Sequence, residues 1–109
     1  MQASCVRWFR LTYPRHARLL FAIPNGWLRS WRTAKILKAE GVTPGVPDMM
    51  LAIPSGTAHA LFIEFKSGRN TTSQEQSEMI ALLTTQGYLV AVVYSIDEFI
   101  SLITNYLPK

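Results

Sequence analysis

The run His59-Ala-Leu-Phe-Ile-Glu-Phe-Lys66 limits the fold more tightly than any other part of the chain. Strand alternation puts Leu61, Ile63 and Phe65 on one face and Ala60 and Phe62 on the other, so both faces are apolar. Such a strand belongs in the middle of a sheet. Met49 through Ile53 is likewise entirely apolar, and Pro54-Ser55-Gly56 between the two runs has turn composition. Residues 48–53 and 59–66 are therefore expected to form an antiparallel hairpin.

The other elements follow from periodicity. Leu19 to Ile23 reads as a short buried strand entering the turn Pro24-Asn25-Gly26, and Tyr88 to Tyr94 as a strongly apolar strand. Helical spacing covers residues 2–13, with Cys5, Val6, Phe9 and Tyr13 on one side and Pro14 as the stop. It recurs over 28–40, ending at Gly41, over 73–86 with Met79, Ile80 and Leu83 inward, and over 96–106. The predicted order is α-β-α-β-β-α-β-α, a mixed α/β sheet flanked by helices. At 109 residues the chain has room for one domain, 1–109.

Composition removes several classes. Apolar types make up 49% and charged types 17%, which excludes a disordered tail. No window approaches the roughly 18 apolar residues of a membrane span, and Arg7 and Arg10 interrupt what a signal peptide would keep apolar. An intracellular, cytoplasmic protein is expected. Cys5 is the single cysteine, so an intrachain disulfide or a cysteine-rich zinc cluster is unavailable.

Charge is divided unevenly. Residues 1–44 hold eight basic residues against Glu40 alone, whereas residues 45–109 hold three basic and six acidic ones. Arg29, Arg32, Lys35 and Lys38 sweep about half the circumference of the second predicted helix. They form either a solvated face or a binding surface for phosphates; the absence of an acid before Glu40 favours the second.

Carboxylates in a protein that attracts a polyanion repel phosphate unless they hold a cation. Glu64 and Lys66 extend the second face of the central strand at its end, and Asp48 is the only charge on the preceding strand. In an antiparallel hairpin the start of one strand lies beside the end of the other, so Asp48, Glu64 and Lys66 converge. Two carboxylates and an amine suit metal-assisted phosphodiester hydrolysis, since hard oxygen ligands hold Mg²⁺ through few bonds and leave room for water and phosphate. Singly, each residue has a plainer reading: Asp48 as a turn residue after Pro47, Glu64 and Lys66 as a solvated ion pair. Their coincidence on otherwise apolar strands favours the site.

Gly45-Val46-Pro47-Asp48 followed by Ile63-Glu64-Phe65-Lys66 resembles the PD-(D/E)xK nuclease superfamily. With Gln76 and Gly87-Tyr88 added, the chain resembles more closely the virus-type replication-repair nuclease (VRR-NUC) domain in its stand-alone, phage-like form, over about Gln2 to Leu102. The resemblance implies a restriction-endonuclease-like fold and a Mg²⁺-dependent endonuclease, Mn²⁺ substituting. It implies a preference for branched DNA, junctions or flaps, in replication, recombination or repair, in a bacterial or phage-infected cell. Asp48, Glu64 and the Phe65 carbonyl would be metal ligands, Lys66 the catalytic lysine, and Gln76 a further site residue. Ser73-Gln74-Glu75-Gln76 also fits a helix capping box, which by itself explains Gln76. Family members often carry a glutamate in the first helix, where the nearest candidate here is Gln2. That departure favours an alternative, a catalytically weak DNA-binding scaffold using the basic helix 28–40.

His16 and His59 lack ligand spacing and read as a turn residue and a strand-start residue. Trp8, Trp27, Trp31 and Tyr106 exceed what so small a core need keep, so some of them are expected to anchor a homodimer, an arrangement that paired cutting of a junction would also require. Trp27 and Trp31 beside Arg29 and Arg32 could instead stack on exposed bases.

Overall fold

The computed structural model describes residues 1–24 and 31–107, and of residues 31–34 only the backbone. The elements in order are α1 (Gln2–Thr12), a 3-10 helix (Pro14–Leu19), β1 (Leu20–Ala22), α2 (Trp31–Ala39), β2 (Met49–Leu51), β3 (Leu61–Phe65), α3 (Gln74–Thr85), β4 (Leu89–Val93) and α4 (Ile96–Tyr106). The strands form one sheet in the order β1-β2-β3-β4, antiparallel across β1-β2 and β2-β3 and parallel across β3-β4. The expected mixed α/β sheet with flanking helices is present, and β3 is central in it.

Alternation along β3 decides which face carries what. Leu61 and Ile63 pair with Leu51 and Met49, and all four are buried with Leu20 and Val93. They meet Cys5 and Phe9 of α1 and Phe99, Ile103 and Tyr106 of α4 in the main core. Each fully buried Leu, Ile, Phe or Met here contributes about 1.5–3 kcal/mol relative to exposure. The opposite face of β3 carries Ala60, Phe62 and Glu64, also buried. Phe62 meets Tyr88 edge to face, and α3 packs on this side of the sheet.

Element ends differ from the sequence expectation for identifiable reasons. The strands are assigned shorter than read, yet ladder bonds continue past them: Ile23 N donates to the Asp48 carbonyl, Ala52 N to Leu19, and Lys66 N to Val93. Beyond the ladder, the Ile53 carbonyl accepts the Tyr106 hydroxyl at 2.6 Å. Pro14 ends α1 as expected but also opens the 3-10 helix, since its fixed φ suits a first helical position. At the end of α2, Gly41 adopts φ +101 while its N–H bonds to Lys38 and that of Val42 to Leu37, a Schellman closure that glycine permits. The Asn25-Gly26 turn, Trp27 and Leu28 lie outside the described residues.

Two of the large aromatics are placed by their packing. Tyr106 is 7% exposed, its ring in the main core, and its backbone carbonyl accepts the Ser55 hydroxyl from the β2–β3 turn. Trp8 packs on that core, edge to face with Tyr13 and Phe99. Tyr106 thus serves the interior, while Trp8 is half-buried and keeps part of its surface exposed.

Candidate active site

The β2–β3 register pairs Met49 with Ile63, and one step further sets Asp48 opposite Glu64, both on the face toward α3. Asp48 Oδ2 accepts the Phe65 backbone N–H at 2.8 Å. Glu64 is 4% exposed, a charge in the sheet interior, and so needs partners. Gln76 Nε2 donates to Glu64 Oε2 at 2.7 Å, and Lys66 Nζ stands 3.5 Å from the same oxygen. Lys66 Nζ also donates to Gln76 Oε1 at 2.7 Å. Asp48, Glu64, Lys66, Gln76 and the Phe65 backbone therefore come together where β3 ends and α3 begins.

Gln76 completes the capping box read from its sequence context and also contacts the neighbouring charged residues. Ser73 Oγ accepts the Gln76 backbone N–H at 3.1 Å and Gln76 Oε1 accepts the Ser73 N–H at 2.9 Å, a complete capping box. The same side chain then reaches Glu64 and Lys66. Capping does not exhaust the amide, which has a second lone pair on its oxygen and two further donors on its nitrogen.

Burial pushes the Glu64 carboxyl above the ordinary glutamic acid range, the neighbouring Asp48 charge pushes it further, and the Lys66 ammonium opposes both. Glu64 Oε1 is buried with no hydrogen-bond partner among the described residues. A divalent cation answers both features, because it would satisfy that oxygen and neutralise the two facing carboxylates. Mg²⁺ is commonly held by one or two carboxylates with water and phosphate completing its shell, so this donor set fits it although, among the described residues, no cluster of three His, Cys, Asp or Glu side chains exists.

The basic helix is only partly described. Lys35 and Lys38 are exposed on α2; Arg32 lies on α2 with its side chain undescribed, and Arg29 lies outside the described residues. The first turn of α1 has no acidic residue, and Gln2 is half-buried there. His16 is half-buried in the 3-10 helix, and His59 is exposed beside Tyr88 at 5.9 Å between ring centres, away from the carboxylates in the chain's topology.

Gly45 was legible only as part of a motif. It adopts φ +87, and a Cβ placed there would fall on the Glu75 carbonyl, 2.7 Å from its carbon. The loop that delivers Asp48 thus presses on the first turn of α3. Periodicity gives no sign of such an approach, since it joins residues far apart in sequence.

The VRR-NUC domain model matches residues 1–97. The chain belongs to the VRR-NUC family. A solved structure described as a VRR_NUC domain protein superimposes with a TM-score of 0.83 at 28% identity, covering 97% of this chain and 84% of that one. No curated protein matches the chain. Membership of VRR-NUC makes this a nuclease domain, with nucleic acid as its substrate. Among the described residues, no helix is long and apolar enough to cross a membrane.

Proposed function

We propose that this VRR-NUC protein is a Mg²⁺-dependent DNA endonuclease, selective for branched structures, with Asp48, Glu64 and the Phe65 carbonyl as metal ligands and Mn²⁺ able to substitute. The observation that carries this reading is the buried Glu64 facing Asp48, with Oε1 unpartnered and Lys66 held alongside. The bound ion would polarise the scissile phosphoryl oxygen and lower the pKa of a bound water.

The chain's own residues do the remaining work. Lys66 Nζ, held by Gln76 Oε1, keeps donors with which to orient the attacking water and offset charge developing on the phosphate. Gln76 Nε2 donates to Glu64 Oε2, so Oε1 would be the oxygen available to hold the ion. Arg29, Arg32, Lys35 and Lys38 supply sequence-independent backbone affinity, which suits selection by DNA shape.

A second reading, a DNA-binding scaffold with weak or no catalysis, is favoured by one observation: the first turn of α1 holds no acid. Incubation with single-stranded, duplex, flap and four-way DNA, each with Mg²⁺, Mn²⁺ or EDTA, decides between them. Metal-dependent cleavage concentrated on flap or four-way DNA is the expected result. Binding without cleavage under every metal condition would establish the scaffold.

A further inference from the structure

The capping box of α3 holds an atom that also belongs to the proposed cleavage site. In an ordinary box the N3 side chain bonds back to the N-cap N–H and its work ends there. Here Gln76 Oε1 takes two donors, the Ser73 N–H at 2.9 Å and Lys66 Nζ at 2.7 Å. A backbone N–H and an ammonium can only donate, so the atom between them must be the amide oxygen. The nitrogen is then obliged to face Glu64 Oε2.

Two residues outside the catalytic set fix where that amide stands. Ser73 caps α3 in an extended conformation, φ −70 and ψ 170, with its Oγ on the Gln76 N–H, which aims the Ser73 N–H at Oε1. Gly45 lets the loop bearing Asp48 lie against Glu75 and Gln76, where the Gln76 backbone nitrogen is 3.1 Å from the position a Cβ would take. Thus the start of α3 is located from one side by its cap and from the other by the loop that carries Asp48.

We propose that Ser73 and Gly45 are positioning residues of the cleavage site, setting the Gln76 amide so that one side chain holds Lys66 by its oxygen and Glu64 by its nitrogen. The inference rests on the reading of Asp48, Glu64 and Lys66 as the cleavage site.

Gln76→Glu separates capping from positioning. Glutamate at N3 completes a capping box as well as glutamine does and still accepts from Lys66, but it sets an oxygen against Glu64. In EDTA this variant should keep the native fold by circular dichroism, with a melting temperature lowered by the oxygen now set against buried Glu64. With Mg²⁺, single-turnover cleavage of the best-cut DNA should fall about 10- to 100-fold, with little change in DNA affinity, as happens when ligand-orienting partners are removed. Ser73→Ala should lose rate on the same scale, and Ser73→Thr, which keeps the hydroxyl acceptor, should recover it.

A metal-free readout accompanies these rates. The Gln76 side-chain NH₂ resonances, assigned by their disappearance in Gln76→Glu, should move toward those of a solvent-exposed glutamine in Ser73→Ala and in Gly45→Ala. An unmoved Gln76 signal in Ser73→Ala, or native cleavage by Gln76→Glu, overturns the proposal. Asp48→Ala distinguishes the two levels: if it still cuts, the site reading fails and this inference with it. If Asp48→Ala is inactive while Gln76→Glu cuts normally, positioning alone fails.

Discussion

Asp48 and Glu64 face each other one step beyond the last β2–β3 pair, so truncating either should remove a metal ligand together with a charge that repels phosphate. Asp48→Ala and Glu64→Ala are expected to abolish cleavage while DNA binding stays equal or tightens, which paired cleavage and fluorescence-binding assays would read. Lys66→Ala should behave differently: calorimetric metal affinity is kept and the rate falls about 10²–10³-fold, because the amine acts on water and developing charge. Glu64 gives a test of its own. Its folded pKa is raised, so the metal-free fold binds a proton there more tightly than the unfolded chain does. That contribution is complete below the unfolded pKa and is lost as pH rises through the folded one. The Glu64 contribution to denaturant midpoints in EDTA should therefore decline from acid toward neutral pH, and shows as the difference between the native protein and Glu64→Gln across that range. The convergence of these residues was readable because period-two alternation and an antiparallel hairpin leave little freedom. The double engagement of Gln76 was not, since in sequence its capping and site roles look like competing explanations.

At the scale of elements, the basic run 29–38, of which α2 carries the last three cations, supplies the clearest test outside the site. Neutralising Arg29, Arg32, Lys35 and Lys38 together should weaken binding to every DNA form and flatten its salt dependence, by a log-log slope of about 0.9 for each duplex phosphate the protein no longer neutralises. Titrations over a series of salt concentrations would show it, and an unchanged slope would make this helix a solvated face. Helices α3 and α4 were legible nearly to the residue, because Ser73 and Ser95 mark their caps and their Oγ atoms accept from Gln76 and Glu98. The 3-10 helix was not, for Pro14 announces an end and a beginning with the same residue. Strand limits blurred at their ends, as at Ile53, whose carbonyl accepts a side-chain hydroxyl beyond the ladder.

For the whole molecule, Tyr106 lies in the core and half-buried Trp8 packs against it, which weakens the aromatic argument for a homodimer and leaves the functional one. Counting aromatics cannot tell a core from an interface; only packing does. Paired incision of a junction needs two sites, and each chain brings a single Asp48-Glu64-Lys66 set. Light scattering across a concentration series is accordingly expected to report about twice the 12.3 kDa chain mass, and mixed dimers with Asp48→Ala to nick one strand. A strict monomer that cuts both strands in a paired manner would refute this. Another property of the whole lies in the segment between Lys66 and Ser73. It is largely exposed and pinned midway, where the Tyr94 hydroxyl donates to the Asn70 carbonyl at 2.8 Å. It also links the two residues that Gln76 joins, so its length acts as a ruler between β3 and α3. Lengthening such a link is thermodynamically cheap, about 0.6 kcal/mol per doubling. Evolution could therefore spoil the chemistry here without disturbing the fold, and in functional descendants the span of this loop would be held constant by selection on catalysis, even as its side chains drift.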